Sequence, residues 1–301
     1  MPEGDTVYLA ARRLRAAMAG DRLTSSDFRV PRYATVDLSG RQVLDVVPRG
    51  KHLLTRFEGD LTMHTHFEMD GSWHLVAAGT PWPRTAGATH QVRVALRTLR
   101  WQAVGYRIPV IDLDRTSTEA QWVGHLGPDV LGPDWDAAAV VDNLTREPER
   151  QVGMALLDQR NLAGPGNLYR TEALFLHRTS PWATVGATED LPGLVERTRR
   201  LMDVNKDRAE QTTTGSLRTG EDHWVFQREG RPCRRCGTRV LSTTQGEPGH
   251  ELHARVTAWC PRCQPGPMPT AAELAVERRA RLPPPPRYRT GPASTRRRPE
   301  R

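Results

Sequence analysis

The stretch Leu-Ala-Gly-Pro-Gly-Asn, residues 162–167, lies between two helical patterns and predicts a sharp turn. VGMALLDQ precedes the turn and NLYRTEALFLH follows it, and both have the apolar spacing of helices. The turn places Asn167 at a helix N-terminus, where free N–H groups and the helix dipole favour an anion such as phosphate. Simple capping of that helix by the Asn167 side chain is an equally good interpretation of the stretch alone.

The regions on the two sides of this turn have different patterns. Upstream, six short runs alternate or are rich in β-branched residues, as in an antiparallel sandwich or barrel: QVLDVV, KHLLTRF, LTMHTHF, SWHLV, VRVALRT and WQAVGY. From about Thr118 the pattern is helical, and PGLVERTRRLMDVNK predicts an amphipathic helix with Leu194, Leu201 and Val204 on one side. The fold class is therefore α+β with several domains.

Composition and charge exclude a membrane protein and weaken one argument for nucleic-acid binding. No apolar run in the 301 residues approaches the ~20 that a membrane helix needs, and Glu3 and Asp5 stand where a signal peptide has basic residues. We expect a cytoplasmic protein. The formal net charge is +8, but residues 265–301 hold nine arginines against three glutamates. We predict that this segment is a disordered basic tail, so a nucleic-acid partner must be argued from local motifs.

All four cysteines lie in one segment, as two CxxC pairs. Cys233 and Cys236 are separated from Cys260 and Cys263 by twenty-three residues. Two such pairs on opposite hairpins can bind one tetrahedral Zn²⁺, and a four-sulfur site leaves no position for a catalytic water. We predict one structural zinc ion in a zinc-ribbon hairpin, with disulfides as the alternative. Arg255, on a predicted strand between the pairs, is a plausible phosphate ligand.

The first residues, MPEGDT, allow two interpretations. In one, Pro2 only starts the chain and Glu3 and Asp5 cap the helix that follows. In the other, removal of Met1 exposes the secondary amine of Pro2, which can act as a nucleophile.

Together these motifs resemble those of the formamidopyrimidine-DNA glycosylase and endonuclease VIII family, which excises oxidised bases and cuts the resulting abasic site. The resemblance runs from Pro2 to about Gln264 and rests on the MPEG start, RGKHLL, HFEMDG, LLDQRNLAGPGNLYRTE, REGRPCRRCG and WCPRCQ. It implies three regions: an N-terminal helix with an antiparallel β-sandwich (1–120), a helix-two-turn-helix domain (121–220) and a zinc-finger hairpin (221–264). The tail (265–301) lies outside the resemblance. Damaged DNA would lie between the two lobes.

The resemblance also implies roles for individual residues. Pro2 would be the nucleophile that attacks C1′, and Glu3 the acid and base. Lys51, in RGKHLL, would contact phosphate and support catalysis, and Asn167 and Arg255 would be further phosphate contacts.

Three further positions have competing interpretations. Met69 matches the family's wedge, which fills the space left by the extruded nucleotide; the alternative is a core methionine at a strand end. Glu172 matches an interior acidic position, with pairing to a basic group as the alternative. His64 and His66 share one strand face, where structural or DNA hydrogen bonding is favoured over a metal site.

The sequence departs from the family at three places. Asp5-Thr6 replaces the usual second Pro-Glu, so a carboxylate is missing or displaced. Glu68 and Asp70 flank Met69, so the aromatic neighbour of endonuclease VIII is absent, and so is the DPRRFG loop of the formamidopyrimidine branch. The missing loop and the MPEG start favour the endonuclease VIII branch and oxidised pyrimidines. The interval between the cysteine pairs is also longer than usual.

The resemblance predicts a monomeric, nucleoid-associated glycosylase and lyase that acts by β,δ-elimination. Two alternatives are an abasic-site lyase with weak base excision and a non-catalytic zinc-finger DNA-binding protein.

Overall fold

The computed structural model describes residues 2–247, 254–269 and Leu274. Residues Met1–Met268 form one compact unit, and the description that follows concerns that unit. Apart from residues 265–269 and Leu274, the predicted basic tail lies outside the described residues. None of the helices in the described ranges is long and apolar enough to cross a membrane.

The N-terminal region is a helix packed on two antiparallel sheets. The apolar face of helix α1 (Gly4–Met18) is buried against the sandwich core through Val7, Ala11, Leu14 and Met18. The sheets have the orders β1-β6-β7-β5 and β2-β3-β4-β8. Their strands are β1 (Ser25–Phe28), β2 (Val43–Arg49), β3 (His52–Phe57), β4 (Leu61–His66), β5 (Ser72–Ala77), β6 (Val92–Arg97), β7 (Trp101–Tyr106) and β8 (Val110–Asp114).

The predicted antiparallel sandwich is confirmed, with two strands added. The six predicted runs form β2 to β7, whereas β1 and β8 carry weaker patterns and lie at sheet edges. The strand β1, SSDF, has only one buried residue, because an edge strand needs little apolar surface. The strand β8 pairs with β4 and completes the sheet whose β2–β3 turn carries Lys51.

The helical region follows β8 and has its own core. Its elements are α2 (Ala120–Val123), α3 (Ala137–Thr145), α4 (Val152–Ala155), α5 (Asn167–His177) and α6 (Leu191–Asp203). The helix α4 is shorter than VGMALLDQ predicts. The face assigned to Val204 is wrong: Leu194 and Leu201 are buried, but Val204 follows the end of α6 and is 49% exposed.

The last two strands, β9 (Leu241–Gln245) and β10 (Arg255–Trp259), form the antiparallel hairpin predicted between the cysteine pairs. Trp259 is fully buried, and its ring lies edge-on to Trp182 with 4.6 Å between centroids. The strand β10 packs on α5, so the turn at residues 162–167 contacts both the sandwich and the hairpin.

Candidate active site and nucleic-acid interface

A cavity of about 670 Å³ brings together residues that are far apart in the sequence. Six of the predicted functional residues line it: Pro2, Glu3, Lys51, Met69, Asn167 and Arg255. Further lining residues from the helical region include Met154, Leu157 and Arg160. The cavity is therefore where the predicted chemistry and the predicted DNA contacts meet.

The Glu3 carboxylate is buried and caps a helix that begins more than 160 residues later. It accepts hydrogen bonds from the backbone N–H groups of Gly166 (2.7 Å) and Leu168 (2.8 Å), at the N-terminus of α5. Glu3 makes no side-chain bond that caps α1, so the interpretation that it caps its own helix is wrong. A carboxylate at this position is stabilised by free N–H groups and by the helix dipole.

Two glycines allow the MPEG start and the LAGPGN turn to approach this closely. The Gly4 N–H donates to Gly164 O at 3.0 Å, and a Cβ on Gly4 would lie 2.8 Å from Gly164 Cα. A Cβ on Gly166 would lie 2.7 Å from the Glu3 carboxyl carbon. Such distances are sterically excluded, so the two motifs form the two sides of one contact.

Lys51 lies in the turn between β2 and β3, which a buried carboxylate holds in place. Gly50 has a φ of +57°, and its N–H donates to Asp129 Oδ2 at 2.7 Å. Asp129 is buried and also accepts from Leu131 N–H at 3.0 Å. The sequence reasoning missed Asp129, because nothing but its place after Gly127-Pro128 marks it.

Burial shifts the pKa values of Glu3 and Lys51, two of the ionisable groups that line the cavity, in opposite directions. It raises the pKa of the Glu3 carboxyl group, and the positive charge of Lys51 partly opposes this. It lowers the pKa of Lys51, which Glu3 opposes and Arg255 reinforces. Both changes favour the uncharged form, so each group can exchange a proton more readily near neutral pH.

Asn167 and Arg170 fasten α5 to the hairpin. Asn167 does not cap α5; its Nδ2 donates to Val256 O at 2.8 Å, and its Oδ1 accepts from Arg170 at 2.5 Å. Arg170 is fully buried and also donates to Thr257 Oγ1 at 2.6 Å. Burial lowers the pKa of Arg170 to about 9. These bonds fix Asn167 and the strand that begins with Arg255 relative to each other.

Met69 is 62% exposed at the cavity wall, so its interpretation as a core methionine is wrong. It lies in a tight turn closed by the Gly71 N–H, which donates to Phe67 O at 2.8 Å. Glu68 has a φ of +48°, and its N–H donates to His66 Nδ1 at 3.1 Å. The turn thus presents a long apolar side chain to solvent, which the wedge role requires.

Glu172 does not line the cavity. It is buried and accepts backbone N–H bonds from Trp224, Val225 and Phe226, each at 2.8 Å, as well as a bond from the Thr213 hydroxyl group. Its hydrogen-bond partners are not basic, but Arg228 is a basic group close enough to interact with its charge, so pairing with a basic group stays an alternative. Glu172 attaches the segment that follows α6 to α5.

His52, His64 and His66 form a cluster of neighbouring rings on β3 and β4. His52 Nδ1 and His64 Nε2 are 2.8 Å apart, and His64 stacks on Trp122 with 5.0 Å between centroids. Asp112 of β8 lies 3.5 Å from His64 Nδ1, a carboxylate that the sequence reasoning did not place there. Burial lowers the pKa of His52 to about 3. Among the described residues these histidines form no group able to hold a metal ion.

The four cysteines do form such a group. Their sulfur atoms lie within 4.8 Å of one another, with Cys233 and Cys263 3.9 Å apart and Cys236 and Cys260 3.5 Å apart. A disulfide requires about 2.05 Å, so none is formed and that alternative is not supported. The cluster could bind a metal ion.

Comparisons with known proteins agree with this geometry. The model of the formamidopyrimidine-DNA glycosylase N-terminal domain matches residues 1–109, and that of the H2TH domain matches residues 126–202. The chain belongs to the formamidopyrimidine-DNA glycosylase and endonuclease VIII family.

Similar proteins specify the branch of this family. A probable endonuclease 8 2 of Streptomyces coelicolor is 56% identical over 89% of this chain and 96% of its own length. The DNA-(apurinic or apyrimidinic site) lyase Nei2 of Mycolicibacterium smegmatis is 44% identical over 88% of this chain and 99% of its own. The predicted endonuclease VIII branch is confirmed, and with it the enzyme class, a DNA glycosylase and abasic-site lyase of base excision repair.

The solved structures support the fold. Lactococcus lactis Fpg, in a complex with DNA that contains an abasic site, has a TM-score of 0.71 at 19% identity and covers 88% of this chain and 100% of its own. Within the glycosylase fold of this chain, Asp129 and Arg170 are the supporting residues that sequence reasoning did not find.

Proposed function

We propose that this glycosylase excises oxidised pyrimidines from DNA and cleaves the abasic site by β,δ-elimination through a Schiff base on Pro2. The observation that carries the proposal is the placement of Pro2, Glu3 and Lys51 in one cavity. A neutral N-terminal secondary amine, a buried carboxyl group and a buried lysine are the groups that this chemistry needs.

Pro2 supplies the nucleophile once Met1 is removed. Its neutral secondary amine attacks C1′, and the bond from C1′ to the base breaks with its electron pair leaving on the base. The amine then loses its N–H proton, and the ring oxygen O4′ takes a proton as the sugar opens. The product is an iminium ion, which withdraws electrons and makes the C2′ proton acidic. Loss of that proton expels the 3′ phosphate, and a second elimination expels the 5′ phosphate. An α-amino group has a pKa of about 8, so a usable fraction is neutral at physiological pH.

Glu3 moves the protons. It protonates O4′ and then accepts protons during elimination, a role that suits a carboxyl group whose pKa burial raises. Gly166 and Leu168 hold its carboxylate at a fixed place, so its position does not depend on the substrate.

The DNA is held by residues on three elements. Lys51, Asn167 and Arg255 contact phosphates, and Met69 enters the stack where the damaged nucleotide leaves it. Glu172 supports this arrangement from the interior. The protein works as an intracellular, nucleoid-associated monomer.

One zinc ion fits the four-cysteine cluster, since four thiolates at tetrahedral spacing are a closed structural site. Cys233, Cys236, Cys260 and Cys263 would hold it, and bound zinc would stabilise the hairpin that carries Arg255. We also propose that the domains divide at about residues 120, 220 and 264.

Borohydride trapping tests the proposal. Purified protein is incubated with a thymine-glycol duplex and borohydride, and free and cross-linked protein are weighed. The proposal predicts an irreversible adduct on Pro2 of protein that lacks Met1. An adduct formed only with a preformed abasic site would leave a lyase with weak base excision. Tight binding without either adduct would leave a zinc-finger DNA-binding protein.

A further inference from the structure

Asp5 is the first residue of the departure from the family's second Pro-Glu, and the structure buries it. Its side chain is 2% exposed and does not line the cavity. The Tyr169 hydroxyl group donates to Asp5 Oδ2 at 2.6 Å, and Gln211 Nε2 lies 2.9 Å from both carboxylate oxygens. The carboxylate is thus displaced from the cavity into the joint between α1 and α5.

Three consecutive residues attach the start of α1 to the segment 164–169. The Glu3 side chain accepts from backbone N–H groups, the Gly4 N–H donates to Gly164, and the Asp5 side chain holds Tyr169. Pro2 directly precedes these three anchored residues in the chain. The path of the first turn therefore determines where the Pro2 nitrogen lies, and a nucleophile must stand about 3–3.5 Å from the atom it attacks.

Tyr169 connects the two acids through different atoms. Its backbone N–H lies 3.5 Å from Glu3 Oε2, while its hydroxyl group bonds Asp5. Gln211 adds the segment after α6 to the same joint, as Thr213 does through Glu172. Gln211 and Thr213 thus bind two different buried carboxylates, those of Asp5 and Glu172. Of these two, Asp5 shares a partner, Tyr169, with Glu3.

We propose, on the basis of the lyase function above, that Asp5 is a positioning residue: by holding Tyr169 and Gln211 it aims the Pro2 amine and the Glu3 carboxyl group at the sugar. Its negative charge has a second consequence, because a nearby anion favours the protonated form of its neighbours.

Titratable groups that interact electrostatically with Glu3 within the described ranges lie on three elements. They are Lys51 from the β2–β3 turn, the neutral Tyr169 and the cationic Arg170 from α5, and Asp5 from the first turn of α1. Burial is the main cause of the raised pKa of Glu3; Lys51 opposes it and Asp5 adds to it. Removing the Asp5 charge therefore lowers that pKa and moves the optimum of the reaction to lower pH.

The test compares wild type, Asp5→Asn and Tyr169→Phe on a duplex with a preformed abasic site, with kcat/KM measured from pH 5 to pH 9. Asp5→Asn should lower kcat/KM about tenfold through misplacement. It should also move the optimum down by about half a unit to one unit, the size expected for one charge in a partly polar interior. Tyr169→Phe removes a hydrogen bond but keeps the charge, so it should lower kcat/KM without moving the optimum.

A uniform loss at every pH in Asp5→Asn would overturn the proposal, because a merely structural residue gives that result. If thermal denaturation shows that Asp5→Asn does not fold, Tyr169→Phe decides alone. Wild-type kcat/KM, or a loss of kcat/KM matched by a loss of thermal stability, would overturn the proposal; a loss of kcat/KM at an unchanged melting temperature would support it. An inactive wild-type protein would instead refute the lyase function on which the proposal rests.

Discussion

The contact between Gly166 and Glu3 gives a prediction that the steric geometry makes specific. Gly166 has φ −123° and ψ −151°, an extended conformation that alanine also adopts, so Gly166→Ala strains no backbone angle. The added Cβ would stand 2.7 Å from the Glu3 carboxyl carbon and 2.7 Å from Oε1. The Glu3 carboxylate must move, which weakens its bonds to Gly166 and Leu168.

The magnitude follows from the two effects. Overpacking of this kind costs about 1–3 kcal/mol, and a weakened hydrogen bond to a charged group costs about as much. We expect Gly166→Ala to lower the free energy of unfolding by about 2–4 kcal/mol. Abasic-site cleavage should fall about a hundredfold, because a proton-transfer group displaced by about 1 Å loses that much.

Urea denaturation and single-turnover cleavage measure the two effects. Gly186→Ala is the matched control, since Gly186 is exposed and a Cβ added to it would come no closer than 3.3 Å to any neighbour, the nearest atoms being Cβ and O of Pro148. A double-mutant cycle isolates the contact: in a Glu3→Ala background, Gly166→Ala should cost little stability. Equal cost in both backgrounds, or wild-type cleavage by Gly166→Ala, would refute the steric argument.

Three further predictions concern pH, metal and wedge. Burial lowers the pKa of His52 to about 3 and that of His66 to about 4, so at acidic pH the unfolded chain binds more protons than the folded chain. The contribution of these two neutral histidines to the free energy of unfolding should be fully present above about pH 6.5. It should fall by about 2 kcal/mol for the pair, after screening, at pH 5. Urea denaturation at the two pH values measures this fall, and His52→Asn should reduce it. Cys260→Ser, or removal of the metal by a chelator, should release one zinc ion per chain and weaken DNA binding; unchanged affinity with the metal gone would contradict the role given to the hairpin. Glu68 and Asp70 place exposed carboxylates beside Met69, where they should repel the phosphates of a paired duplex. We therefore expect faster cleavage of a lesion in a bubble than in paired duplex, with Glu68→Gln reducing the difference. Equal or faster cleavage of the paired duplex would contradict this expectation.

The sequence predicted well those features that are local. The CxxC pairs, the turn at residues 162–167 and the alternating runs of the sandwich each depend on neighbours in the chain, so spacing alone identifies them. The contact of Gly4 with Gly164 is different, because neither glycine reveals its partner. Asp129 and Arg170 were missed for the same reason: each acts through a fold-dependent contact with a distant segment. The strand β1 was missed because its edge position requires little apolar surface.

Because Glu3 caps α5, its carboxylate is held in position only when the N-terminal region is packed against the helical region. An intermediate in which the sandwich and the helical region have not yet come together still has the Pro2 amine, but the carboxyl group is then in water and far from its helix. Under the mechanism proposed above, such a species lacks a positioned proton carrier. Efficient cleavage of DNA therefore requires both halves of the fold to be joined.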